Sequence, residues 1–398
     1  MHQKFYYICN VFDESTKLKR NISTDSPAAS RKVAHLCRAV RKVGGDARII
    51  SLGRGRATGT MRRYPATAKI INNVPIIYID HWDIPVLTHL VTIISLCILV
   101  LRTTTKGSVL VFYNNQIHYA LALILGRLLG RKCIFDIEDG YRSDDKNIRS
   151  YPHLILLNLF NLCCNGGAML ASSALMRQTS AEHIYVCYGI AEPFNQKKDW
   201  TLGPTQILFG GLLHEDTGAE LFIETLKLMQ MNSSPTLQKL RFVVTGYGEF
   251  SERLQNMARS NMSEFLIFKG KVSASEYREI LSESHVGLSL KLPSTSMGAT
   301  TFPSKVVEFA ANGLLVVSTR VSDVPIVFDD TNAILIEEAT PDFLADALSY
   351  LVDHPDISRK IASDGLNRIA SLLSEEKIGN ELLLFWQGDS VSPRDQNV

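Results

Sequence analysis

The chain has 398 residues, enough for two or three domains with sizeable cores. Hydrophobic residues make up 45% and charged residues 21%, which excludes a disordered chain, and a net charge of +2 gives no general case for nucleic-acid binding. Cys9, Cys37, Cys97, Cys133, Cys163, Cys164 and Cys187 form no C-x-x-C pair and no Cys/His metal spacing, so they read as reduced core thiols of a cytosolic protein.

The opening "MHQKFYYICNVF" has no signal-peptide layout and begins like a buried strand over 5–11. Strand-like runs at 47–52, 108–112, 132–136, 168–171 and 183–187 alternate with helical patterns at 27–43, 85–101, 117–129 and 154–163. The first helix has Ser26 before Pro27 as a start and Gly44-Gly45 as a stop. Runs at 67–71 and 75–79 predict a hairpin. Ile84 to Leu101 contains no Asp, Glu, Lys or Arg, but at 18 residues it is at the lower limit for a membrane span. A buried helix is the ordinary reading of such a run. With the basic stretch "RGRATGTMRRYPATAK", which includes Arg62 and Arg63, it leaves a peripheral membrane contact through 54–101 open.

The alternation pauses at 193–204, "PFNQKKDWTLGP", which reads as an interdomain linker. It resumes with strands near 206–209, 241–245, 265–268, 286–290 and 314–318, separated by helices near 219–229, 250–259, 275–283 and 304–311. Short helices follow to about 387, and the tail "GDSVSPRDQNV" is expected to be disordered. Strict strand–helix alternation predicts two α/β domains of the doubly wound, Rossmann-like kind, 1–192 and 205–387, facing across a cleft. Ligands in such sheets bind outside the carboxyl ends of the strands.

The residues with the clearest chemistry lie in "GATTFPSKVVEFAANG". Pro303 suits a first helical turn, with Thr301 or Ser304 as its cap, and a helix start with Lys305 beside it favours phosphate. Glu308 sits one turn deeper among apolar neighbours, where a carboxylate needs a partner. Two partners are open: two ribose hydroxyls, or Lys305 on an exposed edge. Gly210-Gly211 and Gly246 follow successive strands and permit close backbone approach to a phosphate or sugar. In the first half, Glu138 and Asp139 follow a strand and are read either as site acids or as a solvated turn. His118 and Asn115 stand on the adjacent loop, and His118 is also readable as a helix-start histidine.

The order of "FGGLLHEDTG", "VVTGYGE", "FKGKVSASEY", "HVGLSLKLP" and "FPSKVVEFAANGLLVVST" resembles the retaining nucleotide-sugar glycosyltransferases of family 4, or group 1, which have the GT-B architecture. The resemblance is strong over roughly 205–330 and weaker over 1–192. It implies that Glu308 binds the donor ribose. Pro303, Ser304 and Lys305 would lie along the diphosphate and sugar, and Gly210 and Gly211 along the phosphates. Gly246 would shape the nucleotide pocket, and Val272 would meet the base through its backbone. Glu138, Asp139 and His118 would stand near the transferred sugar and the acceptor.

Two departures from the family's pattern bear on charge. Thr300 stands where the family has an acid eight residues before the ribose acid. Gly211 and Thr217 replace the arginine and lysine that often flank the phosphates. Lys305 and Lys291 would then supply the positive charge a leaving diphosphate needs. The expected partners are a nucleoside diphosphate sugar as donor and a glycan or lipid-linked acceptor, with no separate cofactor, no metal (no D-x-D cluster is present) and no nucleic acid. The expected location is the cytoplasm, with a contact at the inner face of the cell membrane left open. A nucleotide-sugar epimerase and a non-catalytic sugar-nucleotide binder are the alternatives. A dinucleotide dehydrogenase is disfavoured because no strand is followed by G-x-G-x-x-G.

Overall fold

The computed structural model describes residues 3–22, 26–55, 61–85, 87–140, 151–192, 198–200, 203–260 and 262–389. The chain divides into two compact units, 1–190 with 375–397, and 191–374. Most of the predicted linker and tail, and 56–60 of the basic stretch, lie outside the described residues.

The first unit is built on β1 (Lys4–Cys9), α1 (Glu14–Lys19), α2 (Pro27–Lys42), β2 (Asp46–Ser51), β3 (Arg62–Tyr64), β4 (Thr67–Ile71), β5 (Val74–Tyr78) and β6 (His81–Asp83). It continues with α3 (Leu87–Thr103), β7 (Val109–Tyr113), α4 (Ile117–Leu128), β8 (Lys132–Ile137), α5 (Tyr151–Cys163), β9 (Ala168–Leu170) and β10 (Ile184–Val186). Eight strands form one sheet in the order β10-β9-β8-β7-β1-β2-β5-β4. All its pairings are parallel except β4 with β5, the predicted hairpin, whose turn is Asn72-Asn73 with both φ positive. The neighbours of β1 are β2 on one side and β7 on the other, so the strand order reverses there. The helices α3, α4 and α5 bury one face each with Leu110, Phe112, Phe135 and Phe160 in a common core.

The run 84–101 is therefore neither a span nor a fully buried helix. Thr88, Thr92, Leu96 and Val100 of α3 are buried, while Leu90, Ile94 and Ile98 are exposed. Among the described residues no helix is long and apolar enough to cross a membrane. The strands β3 and β6, which sequence reading misses, pair antiparallel into a small separate sheet. There Arg63 pairs with Asp80 at 2.8 Å and lies over the Trp82 ring, so the basic stretch is partly neutralised within its own unit.

The second unit comprises β11 (Thr205–Leu212), α6 (Ala219–Met231), β12 (Leu240–Tyr247), α7 (Ser251–Arg259), β13 (Leu266–Gly270), α8 (Ala274–Glu283), β14 (Val286–Ser289), α9 (Ser296–Thr300), α10 (Lys305–Ala311), β15 (Leu315–Thr319), α11 (Val324–Val327), β16 (Ile334–Ile336), α12 (Pro341–Asp353) and α13 (Pro355–Leu372). Its six strands run β13-β12-β11-β14-β15-β16, all parallel, with the reversal between β11 and β14. Both units are thus Rossmann-like.

The last helix, α14 (Glu375–Gln387), departs from the predicted boundary: it belongs to the first unit. The reason is its apolar face. Ile378, Leu382, Phe385 and Trp386 are buried. Trp386 donates to Met169 Sδ at 3.2 Å, and Glu381 accepts from Tyr185 at 2.7 Å.

Candidate active site

In the second unit Gly210, Gly211, Gly246, Lys305 and Glu308 come together at the carboxyl ends of β11 and β12, beside the reversal of strand order, where open α/β sheets bind ligands. Gly211 lies opposite Gly246 in the register of those strands. A side chain on Gly246, whose φ is +120°, would stand 1.8 Å from the Gly211 carbonyl oxygen. Gly211, at φ +122°, faces Lys305: a Cβ there would lie 3.7 Å from Lys305 Cε. Gly210 precedes it, against Thr245. The two main chains can approach this closely only without side chains, and the result is a bare backbone floor under the Lys305 ammonium.

Glu308 resolves its two open readings in an unexpected way. Its Oε2 accepts from Lys305 Nζ at 2.8 Å and also from the Tyr277 hydroxyl at 3.0 Å, while Lys305 Nζ donates to the same hydroxyl at 2.5 Å. The ammonium stands 4.5 Å from the centre of the Tyr277 ring. The spacing predicts the Lys305 pair, and the third member comes from α8, 28 residues upstream of Lys305 in the chain. The cluster is only partly exposed. Burial works against the Lys305 charge, but Glu308 and Tyr277 outweigh it and hold the ammonium above the ordinary lysine range. Burial, partly offset by Lys305, pushes the Tyr277 phenol up to about 12, so it stays a donor at neutral pH. A carboxylate has about four acceptor positions, and both of these bonds fall on Oε2.

The flanking residues are placed as follows. Val272 is half-buried in the short link between β13 and α8, just before Ser273 caps that helix. Thr300 ends α9, Pro303 is buried and Ser304 is exposed at the start of α10. The predicted cap is absent at Ser304, whose side chain makes no capping bond because its backbone is itself helical. With only seven residues, α10 also has little dipole of its own, so the positive charge at its start is that of Lys305, while Lys291, the other expected cation, donates to Thr301 O at 3.4 Å. Asn312 and Gly313 do end α10, with Gly313 at φ +71°. Thr217 closes the loop after β11: its hydroxyl donates to Leu212 O at 2.7 Å and accepts from His214 N at 3.1 Å.

In the first unit Glu138 and Asp139 follow β8 at the matching strand ends. One residue organises both. Asn114, at φ +58°, accepts from the Glu138 amide at 2.8 Å and donates to Asp139 Oδ2 at 2.9 Å. Lys32 of α2 is ion-paired with Glu138. Beneath them Asp136 is buried and hydrogen-bonded by Tyr7, and burial followed by the charge of Glu138 pushes its carboxyl well above the usual range. Asn115 donates to His153 O at 3.2 Å instead of joining the acids. His118 is likewise engaged elsewhere, by Arg54 and by His89, whose Nδ1 is 2.8 Å from His118 Nε2. Burial, Arg54 and His89 push His118 down to about 4, so it is a neutral ring at pH 7. Tyr277, Lys32, Asn114, Asp136 and Arg54 escape sequence reading, since each meets its partners only through tertiary packing. Asn114 alone has a local signal, an asparagine directly after a strand.

Residues 204–354 match the family model of the glycosyl transferases group 1. A subunit of the phosphatidylinositol N-acetylglucosaminyltransferase of Arabidopsis thaliana is 30% identical over 182 residues, covering 46% of this chain and 35% of that protein. The chain thus spans about a third of that curated relative's length. HepE of Anabaena, solved with UDP, superposes with a TM-score of 0.69 at 12% identity over 96% of this chain and 98% of its own. Sucrose-phosphate synthase of Thermosynechococcus elongatus superposes with a TM-score of 0.68 at 12% identity over 96% and 97%. At such identities the likeness is one of fold.

Proposed function

Starting from a chain whose residues 204–354 are a group 1 glycosyltransferase domain, we propose that this protein moves a sugar from a nucleoside diphosphate sugar to a hydroxyl of a glycan or lipid-linked acceptor, with retention of configuration. The observation that carries the reading is the Lys305–Glu308–Tyr277 cluster over the bare backbone of Gly211 and Gly246. In this proposal Glu308 accepts from the ribose hydroxyls and Lys305 meets the diphosphate. The amides of Gly210 and Gly211 assist, Pro303, Ser304 and Thr300 run along the donor, and the Val272 backbone meets the base. Departure of the diphosphate leaves negative charge on its oxygens. A fixed ammonium stabilises that charge without reorganising, and a phosphate oxygen on the same face takes the acceptor proton.

The first unit would hold the acceptor. Glu138 and Asp139, fixed by Lys32 and Asn114, would orient its hydroxyls. The name of the Arabidopsis relative favours an N-acetylglucosamine donor and a phospholipid acceptor, and the HepE complex favours uridine as the base. A lipid acceptor would place the protein at the inner face of a membrane.

The test is thermal stabilisation by a panel of nucleoside diphosphate sugars, UDP-N-acetylglucosamine and UDP-glucose first. Glu308→Gln keeps the side-chain shape but weakens acceptance. At about 1.5–3 kcal/mol for a hydrogen bond to a charged group, its donor affinity should fall at least about tenfold. Folded protein that no donor stabilises would overturn the reading. Donor conversion without any acceptor would make the protein an epimerase, and binding without turnover across an acceptor panel would make it a binder.

A further inference from the structure

The helices α3, α4 and α5 cover the sheet of the first unit with their inner faces, yet their outer faces are apolar too. On α3, Leu90, Ile94 and Ile98 lie two residues beyond the buried Thr88, Thr92 and Leu96, which puts them on the opposite side of the helix; Leu90 is 55% exposed. On α4, Leu121 and Leu128 repeat the pattern, and on α5 Leu162 is 82% exposed. The three helices are neighbours. His89 and His118 stack at 5.1 Å near the starts of α3 and α4, and Lys106, just past α3, packs beside Gly130, just past α4. The apolar face therefore continues from helix to helix. Ten or so leucines and isoleucines about half exposed or more share it, a concentration that marks an interaction face and not the ordinary scatter of single apolar residues.

Charge is distributed to match. From Ile84 to Phe135 and again from Tyr151 to Ala181 the sequence has no Asp or Glu. Of the acids between these runs, Asp136, Glu138 and Asp139 belong to the end of β8, and Asp144 and Asp145 lie outside the described residues. At one rim of the face, where α3 and α4 end, Arg102, Lys106 and Arg127 are exposed, and among the described residues no carboxylate pairs with them. The opposite helix layer of the same unit is ordinary: α2 exposes Arg31 and Lys42, and α14 exposes Glu376 and Asn380.

We propose that the outer face of α3, α4 and α5 docks on a bilayer containing anionic lipids, with its leucines and isoleucines at the headgroup boundary and Arg102, Lys106 and Arg127 on the phosphates. A broad apolar face without acids and with cations at its edge is what an anionic interface attracts. A second copy fits less well, since the same acid-free face would bring no carboxylate to these cations. The inference does not depend on the donor reading. Of the contact expected through 54–101 it keeps the helix α3, sets aside the basic stretch, where Arg63 is already paired with Asp80, and adds α4, α5 and the cations at the ends of α3 and α4.

The test is co-sedimentation of the full chain with phosphatidylcholine vesicles, with and without phosphatidylglycerol, together with its oligomeric state. Binding should require phosphatidylglycerol and weaken with salt. The variant Arg102→Gln/Lys106→Gln/Arg127→Gln should bind roughly fivefold more weakly per cation removed, on the order of a hundredfold in all. Leu90→Ser/Ile94→Ser/Ile98→Ser should also lose vesicle binding, and both variants, changed only at exposed or half-exposed positions, should stay folded, which thermal unfolding checks. Two results would overturn the proposal: no sedimentation of wild type with anionic vesicles, or a dimer that the serine variant makes monomeric while vesicle binding is unchanged. Thermal stabilisation by nucleoside diphosphate sugars, retained in both variants, separates this outcome from failure of the donor site.

Discussion

Gly246 shows how little freedom the candidate site leaves at the level of single residues. A methyl group there would lie 1.8 Å from the Gly211 carbonyl oxygen, on a backbone at φ +120° that side chains avoid. Gly246→Ala must shift β11 or β12, at a cost of about 2–4 kcal/mol from strain and overpacking. Because Gly211 moves with it, donor stabilisation should disappear as well. Thermal unfolding with and without donor checks both, and a variant as stable and donor-responsive as wild type would contradict the close approach. The glycines were legible in the sequence because they follow strands, and Lys305 with Glu308 because three residues bring side chains onto one helix face. Tyr277 was not. Its hydroxyl reaches Glu308 only because α8 packs beside α10, and nothing in "SASEYREIL" marks one tyrosine as inward.

The same limit operates at the level of elements. Long periodic segments were readable: the five main strands of the second unit and the hairpin of β4 and β5 lie where alternation and turn residues put them. The small sheet of β3 and β6 was not, because three-residue strands carry too little pattern to stand out. That sheet nevertheless holds a pH-sensitive group. His81 is 5% exposed, stacks on Tyr64 with ring centres 6.0 Å apart, and its Nδ1 is buried without a hydrogen-bond partner among the described residues. Burial, then Arg20 and Arg54, pushes it down to about 4, against the weaker pull of Asp83 and Asp80. The unfolded chain takes up a proton near pH 6.5 and the folded one only near 4, so the unfolded state binds more protons between these values. The stability that neutral His81 contributes is therefore complete above pH 6.5 and falls as pH drops toward 4, by up to about 3 kcal/mol. His118 adds a loss of the same sign in the same window. In His81→Phe, which keeps the stacked ring, unfolding followed from about pH 7 to 4 should show a shallower decline than wild type. Equal slopes would mean that His81 takes up its proton in the fold at the same pH as in the unfolded chain.

For the molecule as a whole, the decisive feature is that the chain leaves the first unit at Ile190 and returns to it at Glu375. The sequence could not announce this, because α14 has the same amphipathic pattern as α12 and α13, and amphipathicity says that a face is buried without saying against what. The contacts supply the answer. Phe5 and Tyr7 of β1 meet the Trp386 ring at 5.5 and 6.0 Å, and Arg38 and Lys42 of α2 both pair with Glu375. Ile378, Leu382, Phe385 and Trp386 are each 3% exposed or less. At about 1.5–3 kcal/mol for each buried side chain, their removal approaches the whole stability of a domain. A chain ended after Ser374 should therefore keep a folded second unit, with its donor response intact, while the first unit loses cooperative unfolding. Calorimetry of the truncated and full chains reads this as the loss of one transition. A peptide spanning 375–389, added in excess, should restore that transition in proportion to its concentration, as mass action requires of a segment that binds only the folded state. If the truncated chain kept both transitions unchanged, α14 would be an accessory to the first unit, and the core that β1 and α2 build with it would have to close without its last layer.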